Sequence, residues 1–185
     1  MFACFAVLTA LAAGGRAGDS SMPTFVPWKI LNPGDETLKT DLVLYWIPSS
    51  RDEIRRSALL TSRPLAIYSS QCVGMQLIRP DDDETIERLG ASEHLPLAVL
   101  AAADGTVIAR VPATRVAEVE RLVRDTIATR EAEADRLLDD AAAKLAAGER
   151  DEAVALYRRV CAQRCLLPRK ARDAQKALHR LDADN

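Results

Sequence analysis

The side chains in this 185-residue chain that could do chemistry are its four cysteines, its two histidines and a serine, Ser50. Thiols come first. Cys161 and Cys165 stand four residues apart. On a regular helix that spacing puts both on one face, near the upper end of the Cα separations a disulfide spans. Leu166-Leu167-Pro168 suggests a helix end between them, which would ease a bridge. A stabilising disulfide competes with two core thiols and with a redox pair, and an oxidising compartment favours the disulfide. Cys72 precedes an apolar run and reads as a small buried hydrophobe rather than a reactive single thiol. No histidine near Ser50 in sequence can serve as its base, so a serine nucleophile is not supported. His94 and His179 lie far apart, and no Cys-x-x-Cys or His-x-x-x-His spacing exists, so no metal site is expected. No glycine-rich phosphate loop is present. A net charge of −2 gives no global pull toward nucleic acid. The reading has no cofactor and no nucleic-acid partner.

Residues Phe2 to Ala13 form an apolar run that is short for a bilayer span. Gly14, Gly15, Ala17 and Gly18 follow it, as in a secretory signal peptide cut after Ala17. No Lys or Arg precedes the run. An uncleaved anchor, a start further upstream and a buried N-terminal helix are the other readings. Cys4 has no lipid-attachment pattern before it. Export to a periplasm or the exterior is expected, with membrane association through residues 2–13 if the segment stays. Cleavage would leave three cysteines, and an odd number leaves one thiol free or paired between chains.

The elements that must position these residues follow from the apolar pattern. Hydrophobic content is 48% and aromatic content 4%, so the core rests on Leu, Val, Ile and Ala. Pro23, Pro27, Pro33 and Gly34 keep residues 18–40 irregular, and Trp28 and Ile30 could cover an apolar patch. Leu42 to Ile47 is continuously apolar, as in a strand buried on both faces. Ser50-Arg51-Asp52-Glu53 fits a capping box, with the Ser50 hydroxyl on the Glu53 N–H and the glutamate returning to the Ser50 N–H. Ile54 and Ala58 supply that helix's apolar stripe. Pro64 to Tyr68 is open between helix and strand. Gln71 to Ile78 reads as a strand in which Gly74 marks a bulge or close approach. Asp81 to Glu84 opens a helix that Gly90 can end. Leu97–Ala101 and Thr106–Val111 are strands joined at Asp104-Gly105. A helix follows from about Arg115, with Val116, Val119, Val123 and Ile127 at helical spacing. From Glu131 the composition turns to Ala, Leu and alternating charge, read as one helix, a turn at Gly148-Glu149-Arg150, a second helix, and a third near Pro168.

The order strand, helix, strand, helix, hairpin, helix, together with Tyr45-Trp46 and Pro96 before the hairpin, resembles the thioredoxin-like family. Aligned on Tyr45-Trp46, the family's two active-site cysteines fall on Ser50 and Glu53, which are thus degenerate active-site positions. The resemblance implies a cis-proline at Pro96 and a peptide-holding groove bordered by Trp46, His94 and Leu95. Ala147 to Tyr157 resembles the middle of a tetratricopeptide repeat through Gly148, Ala153 and Tyr157. The expected architecture is α/β: a thioredoxin-like three-layer fold with a mixed central sheet over residues 41–129, plus a C-terminal α-helical hairpin extension over 130–185. The expected function is that of an exported, redox-inactive protein-binding or scaffold module with a protein or peptide partner. Two alternatives stand beside it: a thiol-disulfide oxidoreductase or isomerase using Cys161/Cys165 or Cys72, and a structural envelope protein held by an uncleaved N-terminus. Arg158 to Arg180 holds eight Lys/Arg against one acid, Asp173. Its charges could pair within the extension or meet an anionic lipid or acidic partner, the default being a self-neutralising solvated face.

Overall fold

The computed structural model describes residues 25–32, 35, 38, 40–92 and 94–183. The expected signal peptide, residues 1–17, lies outside them. The chain is mixed α/β. Five strands, β1 (Lys29–Leu31), β2 (Leu42–Ile47), β3 (Val73–Ile78), β4 (Leu97–Ala102) and β5 (Val107–Pro112), form one sheet in the order β1-β3-β2-β4-β5. β1 and β2 run parallel to β3, while β4 is antiparallel to β2 and to β5. The lead-in is therefore not wholly irregular. Lys29 to Leu31 gains ladder bonds from the otherwise open edge of β3, a non-local reward that the local Pro and Gly content does not register.

β2 is central, and all six of its residues are buried. Its alternating side chains feed two cores. Leu42, Leu44 and Trp46 meet Leu65 of α2 (Arg63–Ser69) and Val119 and Val123 of a long helix, α4 (Val116–Ala146). Val43, Tyr45 and Ile47 meet Ile86 and Leu89 around α3 (Asp83–Arg88). The segment left open in the sequence is helical because Ser62 caps it, its hydroxyl accepting the Leu65 N–H, with Pro64 in the first turn. Gly90, at φ +62°, ends α3 while the Ala91 N–H reaches back to the Ile86 carbonyl. Trp28 donates its indole N–H to the Leu59 carbonyl at 3.1 Å and meets Trp46 edge-on, so the patch it covers is the Trp46 core. Ile30 stays exposed.

Gly74 is a close approach. A Cβ built there would stand 2.8 Å from Thr40 Oγ1 and 3.0 Å from Leu38 Cδ1. Gly74→Val is expected to destabilise the chain by about 2–3 kcal/mol, read as a fall in urea midpoint, because overpacking a closed site forces backbone to shift. An unchanged midpoint would mean the segment before β2 yields freely.

The expected boundary at 129/130 falls inside α4, which runs unbroken for 31 residues, about 46 Å. No Gly or Pro interrupts it, so a change of composition there does not break the backbone. Its first half lies on the sheet. Its second half, through Ala134, Leu137 and Ala141, packs with Ala153, Tyr157 and Val160 of α5 (Arg150–Ala162) and with α6 (Pro168–Ala183). Gly148, at φ +80°, makes the turn between α4 and α5. The extension is thus a three-helix unit sharing α4 and one continuous core with the sheet.

Candidate binding groove

β2 delivers the chain to the groove at its C-terminal end. After Ile47, Pro48 and Ser49 lead to Ser50, the N-cap of α1 (Arg51–Arg56). The Ser50 hydroxyl accepts the Glu53 N–H at 3.3 Å, as its spacing predicts. The glutamate does not return to Ser50. Its carboxylate accepts both the N–H and the hydroxyl of Ser49, each at 2.7 Å. Ser49 offers two donors where the Ser50 backbone offers one, and two charge-assisted bonds outweigh one. Glu53 is thereby held against its own cap.

The opposite wall comes from the loop before β4 and the junction of β5 with α4. The Leu95–Pro96 peptide is cis, and the Pro96 carbonyl accepts the Ala113 N–H at 3.0 Å. Between the walls lies an open groove of about 490 Å³. Ser49, Glu53 and Arg56 line one side, and Pro96, Thr114 and Val116 the other. It pairs a carboxylate and a guanidinium with an apolar floor, and no cysteine lines it.

The degenerate active-site position Glu53 and the cis-proline Pro96 line the groove, and none of the three expected groove residues, Trp46, His94 and Leu95, does. Ser50 stands at its edge as a cap. Trp46 does not border it: central in the sheet and fully buried, it points into the α2/α4 core. Leu95 packs toward the α3 core, and His94 lies in a separate hollow with Gly90, Ser92 and Arg110. Residues 94–96 form a bend ahead of β4, outside the ladder, and of the three only Pro96 takes the groove side. Sequence reasoning missed Ser49, Arg56, Thr114 and Val116. Thr114 and Val116 reach the groove because α4 begins beside Pro96, and no local motif signals that.

The cysteines pair differently from the local expectation. Cys165 bonds Cys72, 93 positions away in sequence, with 5.7 Å between their Cα atoms, and Cys161 is a free thiol among the described residues. α5 carries Cys161 onto the α6 side, where its Sγ lies 3.7 Å from the Ala171 carbonyl. Cys165 sits in the turn beyond the helix and faces Cys72, whose φ of 62° turns the chain into β3. Beside the bridge, the Asp41 carboxylate accepts the Leu166 N–H at 3.1 Å. Both contacts lie at the N-terminal ends of β2 and β3, and the groove lies past the C-terminal end of β2. A six-residue strand, about 20 Å, separates bridge and groove.

Burial pushes the Cys161 thiol up from its ordinary value. Its alkylation by iodoacetamide at pH 8 is expected to be at least about tenfold slower in the native protein than in urea, since the thiolate is the reactive form and is scarce. Equal rates, followed by mass spectrometry, would place Cys161 in water. His179 is exposed on α6, and no cluster of metal-ligating side chains occurs among the described residues.

No family model matches this chain, and comparison with curated proteins and with solved structures likewise found no match.

Proposed function

We propose that the chain is an exported thioredoxin-like protein whose groove binds a segment of another protein without thiol chemistry, the helical unit serving as a scaffold. The observation that carries the reading is the groove itself. The strand order β1-β3-β2-β4-β5 and a cis-proline facing the start of α1 support the resemblance. At the two positions where that family holds cysteines stand Ser50 and Glu53, both engaged in capping. The wall opposite is apolar at Pro96 and Val116, and the charged side carries Glu53 and Arg56. Such a surface suits an extended segment with apolar and charged side chains in alternation. The Cys72–Cys165 bridge supports an oxidising compartment.

A photo-crosslinking residue at Thr114, exposed on the groove wall, tests this in the native host. A discrete protein adduct is expected from Thr114 and not from the same probe at Asp104, in the hairpin at the other end of the sheet. No adduct, or the same adduct from both, overturns the groove as the binding site. Catalytic reduction of a disulfide-bonded model protein by the natural chain, lost in Cys72→Ser, would overturn the non-thiol reading.

A further inference from the structure

α6 is two-faced. Ala171 and Ala174 are buried against α5 and α4, with Ala177, Leu178 and Leu181 partly buried beside them. Arg169, Arg172, Lys176, His179 and Arg180 are all exposed and fall on the opposite arc at helical spacing. The self-neutralisation expected from the sequence is made only in part. Of the basic residues on α6, Lys170 pairs with Asp135 of α4 and Lys176 with Asp173 on its own helix. Arg158, Arg169, Arg172 and Arg180 have no carboxylate partner among the described residues.

We propose that α6 lies on an anionic membrane surface, its outer row of arginines and lysine against lipid phosphates. Charge complementarity names the class of partner, and shape selects within it. The row follows the convex outside of a helix about 24 Å long and not a groove, so it suits a broad flat anionic face better than a single acidic peptide. A single-stranded nucleic acid would call for exposed aromatic platforms, and the one aromatic residue of α5 and α6, Tyr157, is buried. Among the described residues no helix is long and apolar enough to cross a membrane, so α6 binds at the surface. The groove opens past the far end of the sheet from the α5–α6 corner, which leaves it free for a second partner.

Each cation held near an anionic surface contributes about fivefold in affinity. The full chain is sedimented with phosphatidylcholine vesicles and with vesicles containing phosphatidylglycerol, at low and high salt. Binding to the anionic vesicles, lost at high salt, is expected. The variant with Arg169, Arg172, Lys176 and Arg180 each changed to Gln should bind about six-hundredfold more weakly. A second variant removes the same charge elsewhere, at Arg63, Arg121, Arg124 and Arg136, and should bind as the natural chain does. Circular dichroism confirms that both fold. Equal loss in both variants would reduce the effect to net charge and overturn the proposal. Equal binding to neutral vesicles would assign any association to residues 2–13 and overturn it too, as would no binding, or binding only to RNA or polyglutamate on beads.

Discussion

Changing Cys165 to Ser is expected to lower the unfolding free energy by about 3–4.5 kcal/mol, moving the urea midpoint down by about 1–2 M. The bridge closes a loop whose ends are 93 positions apart in sequence, and a loop of that length confines the unfolded chain strongly. The bridge also ties the turn after α5 to the foot of β3, so its loss should loosen the extension from the sheet before the sheet itself opens. Cys72→Ser should cost the same as Cys165→Ser, and the double variant no more than either, because the three remove one bond. Cys161→Ser should change the unfolding free energy by less than about 1 kcal/mol, since it removes one partly buried thiol and no crosslink. If Cys161→Ser were instead as damaging as Cys165→Ser, with Cys72→Ser mild, the pairing would be the local one. Peptide mapping of the unreduced protein, showing the Cys72 and Cys165 peptides joined, checks the same point directly.

Trp46→Ala is expected to cost about 3–5 kcal/mol, enough to unfold much of the population of a marginally stable domain. The ring is wholly buried in the central strand, with its centroid 5.4 Å from that of Trp28 at an interplanar angle of 61°. Truncation would leave a void between the sheet and α4 and remove the edge-on contact. Trp46→Phe should cost far less, about 1 kcal/mol. It keeps a ring beside Trp28, and the indole N–H it deletes has no hydrogen-bond partner among the described residues. Trp28→Ala should be milder than Trp46→Ala, and the two should be less than additive because they share one contact. The chain has only these two tryptophans, so fluorescence in each single variant isolates the other. Red-shifted emission from Trp46 in folded Trp28→Ala would show that it is not sealed as described.

Most of what acts over a few residues was legible before the fold was known, the turn of Glu53 to Ser49 and the Ser62 cap excepted. Leu42 to Ile47 reads as a buried strand because nothing in it tolerates water. Ser50 reads as a cap because its hydroxyl needs only the N–H three residues on. Asp104-Gly105 reads as a turn, and Gly105 takes a φ of 85° there. Gly90 and Gly148 end helices for the same local reason. One helix runs through the expected 129/130 boundary, because a change of composition does not break a helix and α4 lacks the Gly or Pro that would.

Strands β2 to β5, most of the helices, their order and the mixed α/β class were readable from the residues alone, whereas β1, α2 and the continuity of α4 were not. Which cysteines bond, which side chains border the groove and how far the basic segment neutralises itself depend on contacts made across the fold. Cys165 is four residues from Cys161 but bonds one at a separation of 93, because the turn after α5 docks on the start of β3. Thr114 faces Glu53 across the groove because α4 begins beside Pro96. The outer arginines of α6 stay unpaired because its inner face, not its outer one, meets α4 and α5. Capping, strand alternation and turn chemistry depend on near neighbours in the chain. Pairing and grooves depend on distances between residues that meet only when the helices settle on the sheet.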